Sequence, residues 1–290
     1  MKAQTLSICM PGMACNKNCP YCVSRMTWAP KEDECSWLLN LPKVAHFARM
    51  AQVTDVIITG KGEPTINPCL TNAVIAFREW PVVLQTNGKH WSNNPEAMNT
   101  YVVHGLEVAA LINIVQVSID HPDQMSDYEP LWKKINSCPP TTSRITVMLT
   151  PEVCKLPFMG WLDLCKKQGI RGLSFREVTI PTDCQDTPEA KKTAAWICLL
   201  EKNKVITDWK NDFNDKFYPK GPTKDCCPMD PRTIRRLPYG AVIKDFDGIS
   251  VTKFEYCIQD SNGDDDIRSL VYNQDGHLYT TWSSPASMIF

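Results

Sequence analysis

One octapeptide constrains this chain more than any other stretch: Cys15-Asn16-Lys17-Asn18-Cys19-Pro20-Tyr21-Cys22, three thiols at C-x3-C-x2-C spacing just after an apolar run over residues 5–10. Thiolates bind soft metals and iron–sulfur clusters. Three on one tight loop hold three corners of a cubane cluster and leave the fourth iron without a protein ligand. Ferredoxin-type runs differ by supplying a fourth cysteine nearby, and structural zinc sites are closed by four ligands. Cys9 is the candidate fourth ligand that would turn the site into zinc; strand alternation alone leaves its direction open.

Strand-like and helix-like segments alternate after this loop. The apolar runs over 5–10, 55–59, 82–86, 114–119, 144–149 and 173–178 read as strands. Between them the pattern predicts helices over 36–52 (capped by Ser36, with Pro42 inside), 68–80, 95–111, 123–136, 157–167 (stopped by Gly169) and 188–212 (capped by Thr187). Six βα units in a row imply a parallel sheet with helices outside it. Right-handed crossovers curl such a series into a barrel or part of one. An eight-unit barrel takes about 250 residues, and this series ends at its sixth unit by residue 213. The fold class expected is therefore α/β. Beyond Lys220 the texture changes. Asp247-Gly248 and Asp275-Gly276 mark two hairpins, over 241–258 and 267–282. The expected organisation is a barrel over 1–220 and a small C-terminal β appendage over 221–290 that closes the open side or mouth.

The thiol triad, with aromatic Tyr21 before its last cysteine, resembles the signature of the radical S-adenosylmethionine (radical SAM) family. The resemblance implies a partial (β/α)6 barrel, in which Cys15, Cys19 and Cys22 hold a [4Fe-4S] cluster. It implies that SAM chelates the open iron through its amino and carboxylate groups. An external flavodoxin- or ferredoxin-like donor then supplies the electron that splits SAM into methionine and a 5'-deoxyadenosyl radical, which takes a hydrogen atom from the substrate. Gly60-Lys61-Gly62-Glu63-Pro64 resembles the family's Gly-Gly-Glu-Pro turn, which grips the SAM amino group; Lys61 interrupts the glycine pair. Thr86 and Asn87, within Gln85-Thr86-Asn87-Gly88, resemble a Thr-Asn-Gly turn beside SAM. Ser118 and Asp120 match the place of a ribose contact, Arg176 that of a bidentate partner for the SAM carboxylate, and Tyr21 that of the aromatic whose backbone meets adenine. The motif covers eight residues and the supporting turns about fifteen more. Each turn taken alone is as well explained as a solvated strand end.

Fourteen cysteines are too many to pass over. Secreted disulfide scaffolds are small and loop-rich, whereas this chain is long enough for a sizeable core, and Cys165, Cys198 and Cys257 fall in apolar-patterned segments. A reduced, cytoplasmic protein is expected, in the host cytoplasm if the chain is phage-encoded. A net charge of −1 argues against electrostatic binding of bulk nucleic acid. No apolar run approaches the roughly 20 residues of a membrane span. Cys226 and Cys227 with Cys184 or Cys257 are weak candidates for an auxiliary cluster, and Asp264–Asp266 reads as a solvated turn rather than a calcium loop.

For the substrate, no leader-peptide recognition domain is seen ahead of the barrel. A compact barrel suits a small molecule or a single extruded nucleobase. The residues Ile267-Arg268-Ser269-Leu270 and Asp275-Gly276-His277-Leu278-Tyr279 resemble the tail of stand-alone phage and bacterial radical SAM proteins. Some phage members rearrange amino-acid-modified thymidine in hypermodified DNA, an isomerase-type reaction. The alternatives are a peptide-modifying maturase, a glycyl-radical activating enzyme and, in another class, a non-catalytic zinc or iron–sulfur module.

Overall fold

A computed structural model of the chain describes residues 2–98, 102–103, 106–180, 186–218, 232–236, 242–254, 267–282 and 284–290. The architecture is α/β, built on one mixed sheet of eleven strands. Six run in chain order and parallel: β1 (Ala3–Met10), β2 (Asp55–Gly60), β3 (Val82–Thr86), β4 (Ile114–Ile119), β5 (Thr142–Met148) and β6 (Gly172–Arg176). Five more are β7 (Thr233–Arg236), β8 (Val242–Phe246), β9 (Ile249–Phe254), β10 (Ile267–Tyr272) and β11 (Leu278–Tyr279). The order across the sheet is β11-β10-β1-β2-β3-β4-β5-β6-β9-β8-β7. Both hairpins thus belong to this sheet, one at each edge: β9 runs parallel beside β6, and β10 parallel beside β1. The expected boundary at residue 220 lies outside the described residues.

Side chains alternate strictly along these strands, and the pattern decides what each face meets. On one face Leu6, Ile8, Val56, Ile58, Leu84, Val115, Val117, Ile145, Val147, Leu173 and Phe175 enter a single hydrophobic core. The helices α1 (Glu34–Met50), α2 (Leu70–Ala76), α3 (Glu129–Asn136), α4 (Phe158–Gln168), α5 (Pro188–Glu201) and α6 (Lys204–Phe217) follow the strands. Trp37 of α1, Trp132 of α3, Trp161 of α4 and Phe213 of α6 are fully buried in that core. Truncating one such aromatic costs about 3–5 kcal/mol. The register places Ser7, Thr59, Gln85, Gln116, Ser118, Thr146, Ser174 and Arg176 on the other face. There Gln116 donates to Thr146 Oγ1 at 2.8 Å, and the Ser7 and Ser269 hydroxyls pair at 3.0 Å. A parallel sheet covered by helices on both faces reads as continuous apolar runs; this one carries hydroxyls and amides on its second face.

Three helix expectations are corrected. Asp33, not Ser36, caps α1, accepting from the Ser36 N–H at 3.0 Å; both are good caps, and the carboxylate stands one turn earlier. The helix expected over 95–111 gives way to 3-10 turns at Pro95–Met98 and Val108–Leu111 around a two-residue hairpin, Val102–Val103 with Leu106–Glu107, where paired valines favour extended backbone. The helix expected over 188–212 is two, because Asn203 caps a second one by accepting from Val205 N–H at 3.0 Å. Asp247-Gly248 behaves as expected, both residues taking positive φ (54° and 84°) as a two-residue hairpin needs. Asp275-Gly276 instead lies in a longer loop between Tyr272 and Leu278, where only Gly276 has positive φ (78°), and its return strand is Leu278–Tyr279 rather than 277–282.

Candidate active site

The thiol loop leaves the carboxyl end of β1, and its own backbone bonds are few. Cys22 N–H donates to Cys19 O at 3.3 Å, and Cys22 opens a helical turn, Val23–Met26. Neighbouring strand ends hold the rest. From the turn after β2, Glu63 N–H donates to Ala14 O at 2.8 Å. Gly62 packs so closely that a Cβ there would stand 2.2 Å from Ala14 O. From the turn after β3, Asn87 Nδ2 donates to Asn16 Oδ1 at 2.7 Å and approaches Cys15 Sγ at 3.7 Å. From the end of β4, Asp120 accepts from Lys17 Nζ at 2.8 Å and from the Tyr21 hydroxyl. From α5, Trp196 stacks on Tyr21 with ring centroids 5.5 Å apart, and Thr193 donates to Pro20 O at 3.4 Å.

Glu63 is buried and acts as a hub between two turns. Its Oε1 accepts from Thr65 N–H at 3.0 Å, from Thr65 Oγ1 at 2.6 Å and from the Thr86 hydroxyl; its Oε2 accepts from Asn87 N–H at 2.8 Å. Pro64 starts a short 3-10 turn capped by that same carboxylate. Gly88 continues with φ +72°, where a Cβ would meet Val117 at 2.7 Å. Gly60, Gly62, Glu63, Pro64, Thr86, Asn87, Tyr21 and Asp120 are thus brought together with the three cysteines. Ser118 and Arg176 stand on the polar face of β4 and β6, Ser118 level with Thr146.

Cys15 is exposed, Cys19 and Cys22 are half-buried, and all three thiols are free. Burial, with the Asp120 carboxylate adding to it and Lys17 opposing, pushes the Cys19 thiol up to about 11. Burial and then Asp120 also raise the Tyr21 phenol, so it stays protonated. For Lys17, burial works downward and Asp120 more than offsets it, leaving the ammonium above the ordinary lysine value. Among the described residues no three His, Cys, Asp or Glu side chains are gathered tightly enough to hold a single metal ion. The donor chemistry suits a larger group: three free thiols on one loop at the carboxyl end of β1. Cys9 is buried in β1, and its thiol is pushed up to about 11 by burial. Of the cysteines read in apolar-patterned segments, Cys165 is buried as expected and Cys198 is exposed instead; Cys184, Cys226, Cys227, Cys257 and Asp264–Asp266 lie outside the described residues.

Sequence reasoning missed four of the side chains that set this geometry. Lys17 and Trp196 position the loop as described. Lys61, only 5% exposed, donates to Trp28 O at 2.9 Å and to the Thr27 hydroxyl. Gln274, in the hairpin between β10 and β11, donates to Pro30 O at 2.6 Å. A lysine between two cluster-type cysteines and another inside a glycine turn were the visible signals. A cavity of about 210 Å³ lies behind the Gly60–Pro64 turn, against Met10, Gly12, Glu32 and Asn67, below the 300 Å³ or so of small-molecule sites.

No family model and no curated protein matches the chain. Among solved structures the fold is similar to that of SuiB from Streptococcus suis. SuiB bound to its precursor peptide SuiA, and SuiB alone, each match with a TM-score of 0.53 at 14% identity, over 97% of this chain and 60% of SuiB. SuiB bound to S-adenosylmethionine matches with a TM-score of 0.52 at 13% identity over the same shares. The chain therefore spans 60% of SuiB's length, and at this identity the likeness is one of fold.

Proposed function

We propose that this chain is a radical SAM enzyme, acting on a small or nucleobase-type substrate. The observation that carries the reading is the convergence of the C-x3-C-x2-C loop with the Gly62-Glu63-Pro64 turn, joined by the Glu63–Ala14 backbone bond and the contact at Gly62. The fold shared with SuiB, one of whose structures holds S-adenosylmethionine, supports it. Cys15, Cys19 and Cys22 would hold a [4Fe-4S] cluster, with SAM on the open iron. When bound, the pair supplies reductive cleavage of SAM and hydrogen-atom abstraction from the substrate. The protein's own part is positioning and exclusion. Asn87 and Asp120 fix the loop from two strand ends, and Trp196 covers Tyr21.

A partial (β/α)6 barrel is the arrangement we infer for the six parallel strands. Their order in the sheet never reverses, as it does in doubly wound sheets. In a closed or part-closed barrel one face of the sheet turns inward, and the second face here carries Ser7, Gln116, Ser118, Thr146 and Ser174. The hydroxyls and amides of that face would then line the lumen.

A second substrate reading is favoured by one observation: SuiB's match includes its complex with a precursor peptide. The two are separated by assay. Anaerobic, iron- and sulfide-loaded protein is expected to be brown and to form 5'-deoxyadenosine from SAM under reduction, and Cys19→Ala is expected to abolish this. Turnover of amino-acid-modified thymidine or of DNA carrying it supports the nucleobase reading, and turnover of a peptide replaces it. A Cys19→Ala variant that still cleaves SAM removes the whole assignment.

A further inference from the structure

Asp120 touches both halves of the thiol loop. Lys17, which donates to its Oδ2, stands between Cys15 and Cys19; Tyr21, which donates to its Oδ1, stands between Cys19 and Cys22. Asp120 itself is anchored, closing β4 with its backbone N–H donating to Gln124 Oε1 at 2.8 Å. The loop is the softer partner, with little backbone bonding of its own. Tyr128 is buried against Gly88, and the Trp196 ring closes the other side of Tyr21. A rigid carboxylate thus meets a pliable loop through one residue on each side of a single cysteine.

We propose that Asp120 is a positioning residue for Cys19: its carboxylate clamps Lys17 and Tyr21 and fixes where the thiol stands before any metal arrives. The purpose of the clamp rests on the radical SAM reading, in which Cys19 is a cluster ligand; the clamp itself does not. Each carboxylate oxygen accepts one donor from the loop, which makes Asp120 a support for the loop and leaves a lone pair on each oxygen for a further donor.

The test uses the reduced, metal-free protein over residues 1–290 under pulsed alkylation, with modification read at each cysteine by peptide mass across pH. All rates are compared per thiolate, so that loss of the Asp120 or Lys17 charge beside Cys19 is separated from opening of the loop. Asp120→Asn is expected to speed labelling of Cys19 on the order of five- to tenfold as the loop opens locally, with the exposed Cys35 and Cys198 unchanged. Tyr21→Phe and Lys17→Met are each expected to give part of that effect. In the Tyr21→Phe/Lys17→Met double variant, adding Asp120→Asn should change nothing further, because the carboxylate then has no partner left to lose. An unchanged Cys19 rate in Asp120→Asn overturns the clamp, as does a full additional effect in the double variant. Weakened SAM binding as the sole consequence of Asp120→Asn also overturns it, in favour of a ligand contact. If buried Cys165 becomes reactive in Asp120→Asn, that variant has unfolded; Tyr21→Phe, which keeps the ring on Trp196, then decides alone by the same criterion. Wild-type protein that fails to bind iron or cleave SAM while Cys19 labelling follows the expected pattern removes the proposed function and leaves the clamp standing.

Discussion

Replacing Glu63 with glutamine tests whether the two turns beside the thiol loop are held by one carboxylate. Glutamine keeps the shape and one oxygen. If that oxygen stays where Oε1 now accepts from Thr65 N–H, Thr65 Oγ1 and Thr86 Oγ1, the new amide group faces Asn87 N–H, which now donates to Oε2 at 2.8 Å. Two donors then oppose each other in a buried place. The loss is one charge-assisted hydrogen bond, about 1.5–3 kcal/mol, and an orphaned N–H, about 1–3 kcal/mol. The lower desolvation cost of a neutral side chain offsets part of this, leaving about 2–4 kcal/mol of destabilisation. Thr86→Val removes one donor to Oε1 and also the hydroxyl that accepts from Gly88 N–H at 3.0 Å, and should cost about 1–3 kcal/mol. Urea unfolding of the full chain measures both. The effect should also reach the thiols, because Asn87 is the residue displaced and its amide holds Asn16 and Cys15: Cys15 in Glu63→Gln should alkylate faster than in wild type. A Glu63→Gln protein within about 0.5 kcal/mol of wild type refutes the hub.

Gly62→Ala pushes a methyl against Ala14 O and Met13 C, now 2.2 and 2.8 Å from an ideal Cβ; relief moves the loop by about 1 Å at a cost of about 1–3 kcal/mol. It should break the Glu63–Ala14 bond and lower iron uptake on reconstitution, and wild-type stability with normal uptake would refute the contact. Alkaline pH should destabilise the fold through its buried thiols. Cys154 and Cys165 are pushed up to about 12 and Cys9 to about 11, all by burial, from an ordinary value of 9.0. The folded state keeps protons that the unfolded state releases. Their stabilising effect is therefore whole below pH 9 and lost as pH climbs toward 11–12, at about 1.4 kcal/mol per pH unit for each thiol. Urea midpoints measured from pH 8 to 10.5 should fall, and less steeply in Cys165→Ala; a flat profile would refute it.

The strands were legible because β-branched runs ended by Gly, Pro or Asn-Gly leave few alternatives; 82–86 and 114–119 coincide with β3 and β4. Helix limits were not. Pro95-Glu96-Ala97-Met98 opens like a helix, and only the valines beyond it say otherwise. Lys202-Asn203 carries no Gly or Pro to announce the break between α5 and α6. For the site, spacing exposed the thiols and the Gly62-Glu63-Pro64 turn. What the polar side chains do there was hidden, since their partners come from distant strands: Lys17 and Asp120 are 103 residues apart, Glu63 and Thr86 are 23. Position in a motif suggested ligand contacts and was silent on the protein donors that the carboxylates of Glu63 and Asp120 also accept.

Lys61 shows why the mismatch to the Gly-Gly-Glu-Pro pattern is informative. A glycine there would bring backbone close but tie nothing. The lysine instead runs into the fold and holds Thr27 and Trp28, the residues just past the thiol loop's helical turn. The next few residues are held from the opposite side of β1 by the β10–β11 hairpin: Gln274 Nε2 bonds Pro30 O at 2.6 Å, Asp33 N–H bonds Gln274 O at 3.0 Å, and Asn40 Nδ2 bonds Gly276 O at 2.9 Å. Gly276 is forced by this packing, since a Cβ would stand 2.7 Å from the Ser36 backbone. A loop that must present three thiols at fixed separations needs both of its ends fixed. Its entry is fixed by β1 and Gly62, and its exit by a buried lysine and a strand pair from the far end of the sequence. The C-terminal hairpin at the β1 edge is therefore part of the frame of the site, and the lysine is what connects that frame to the turn after β2.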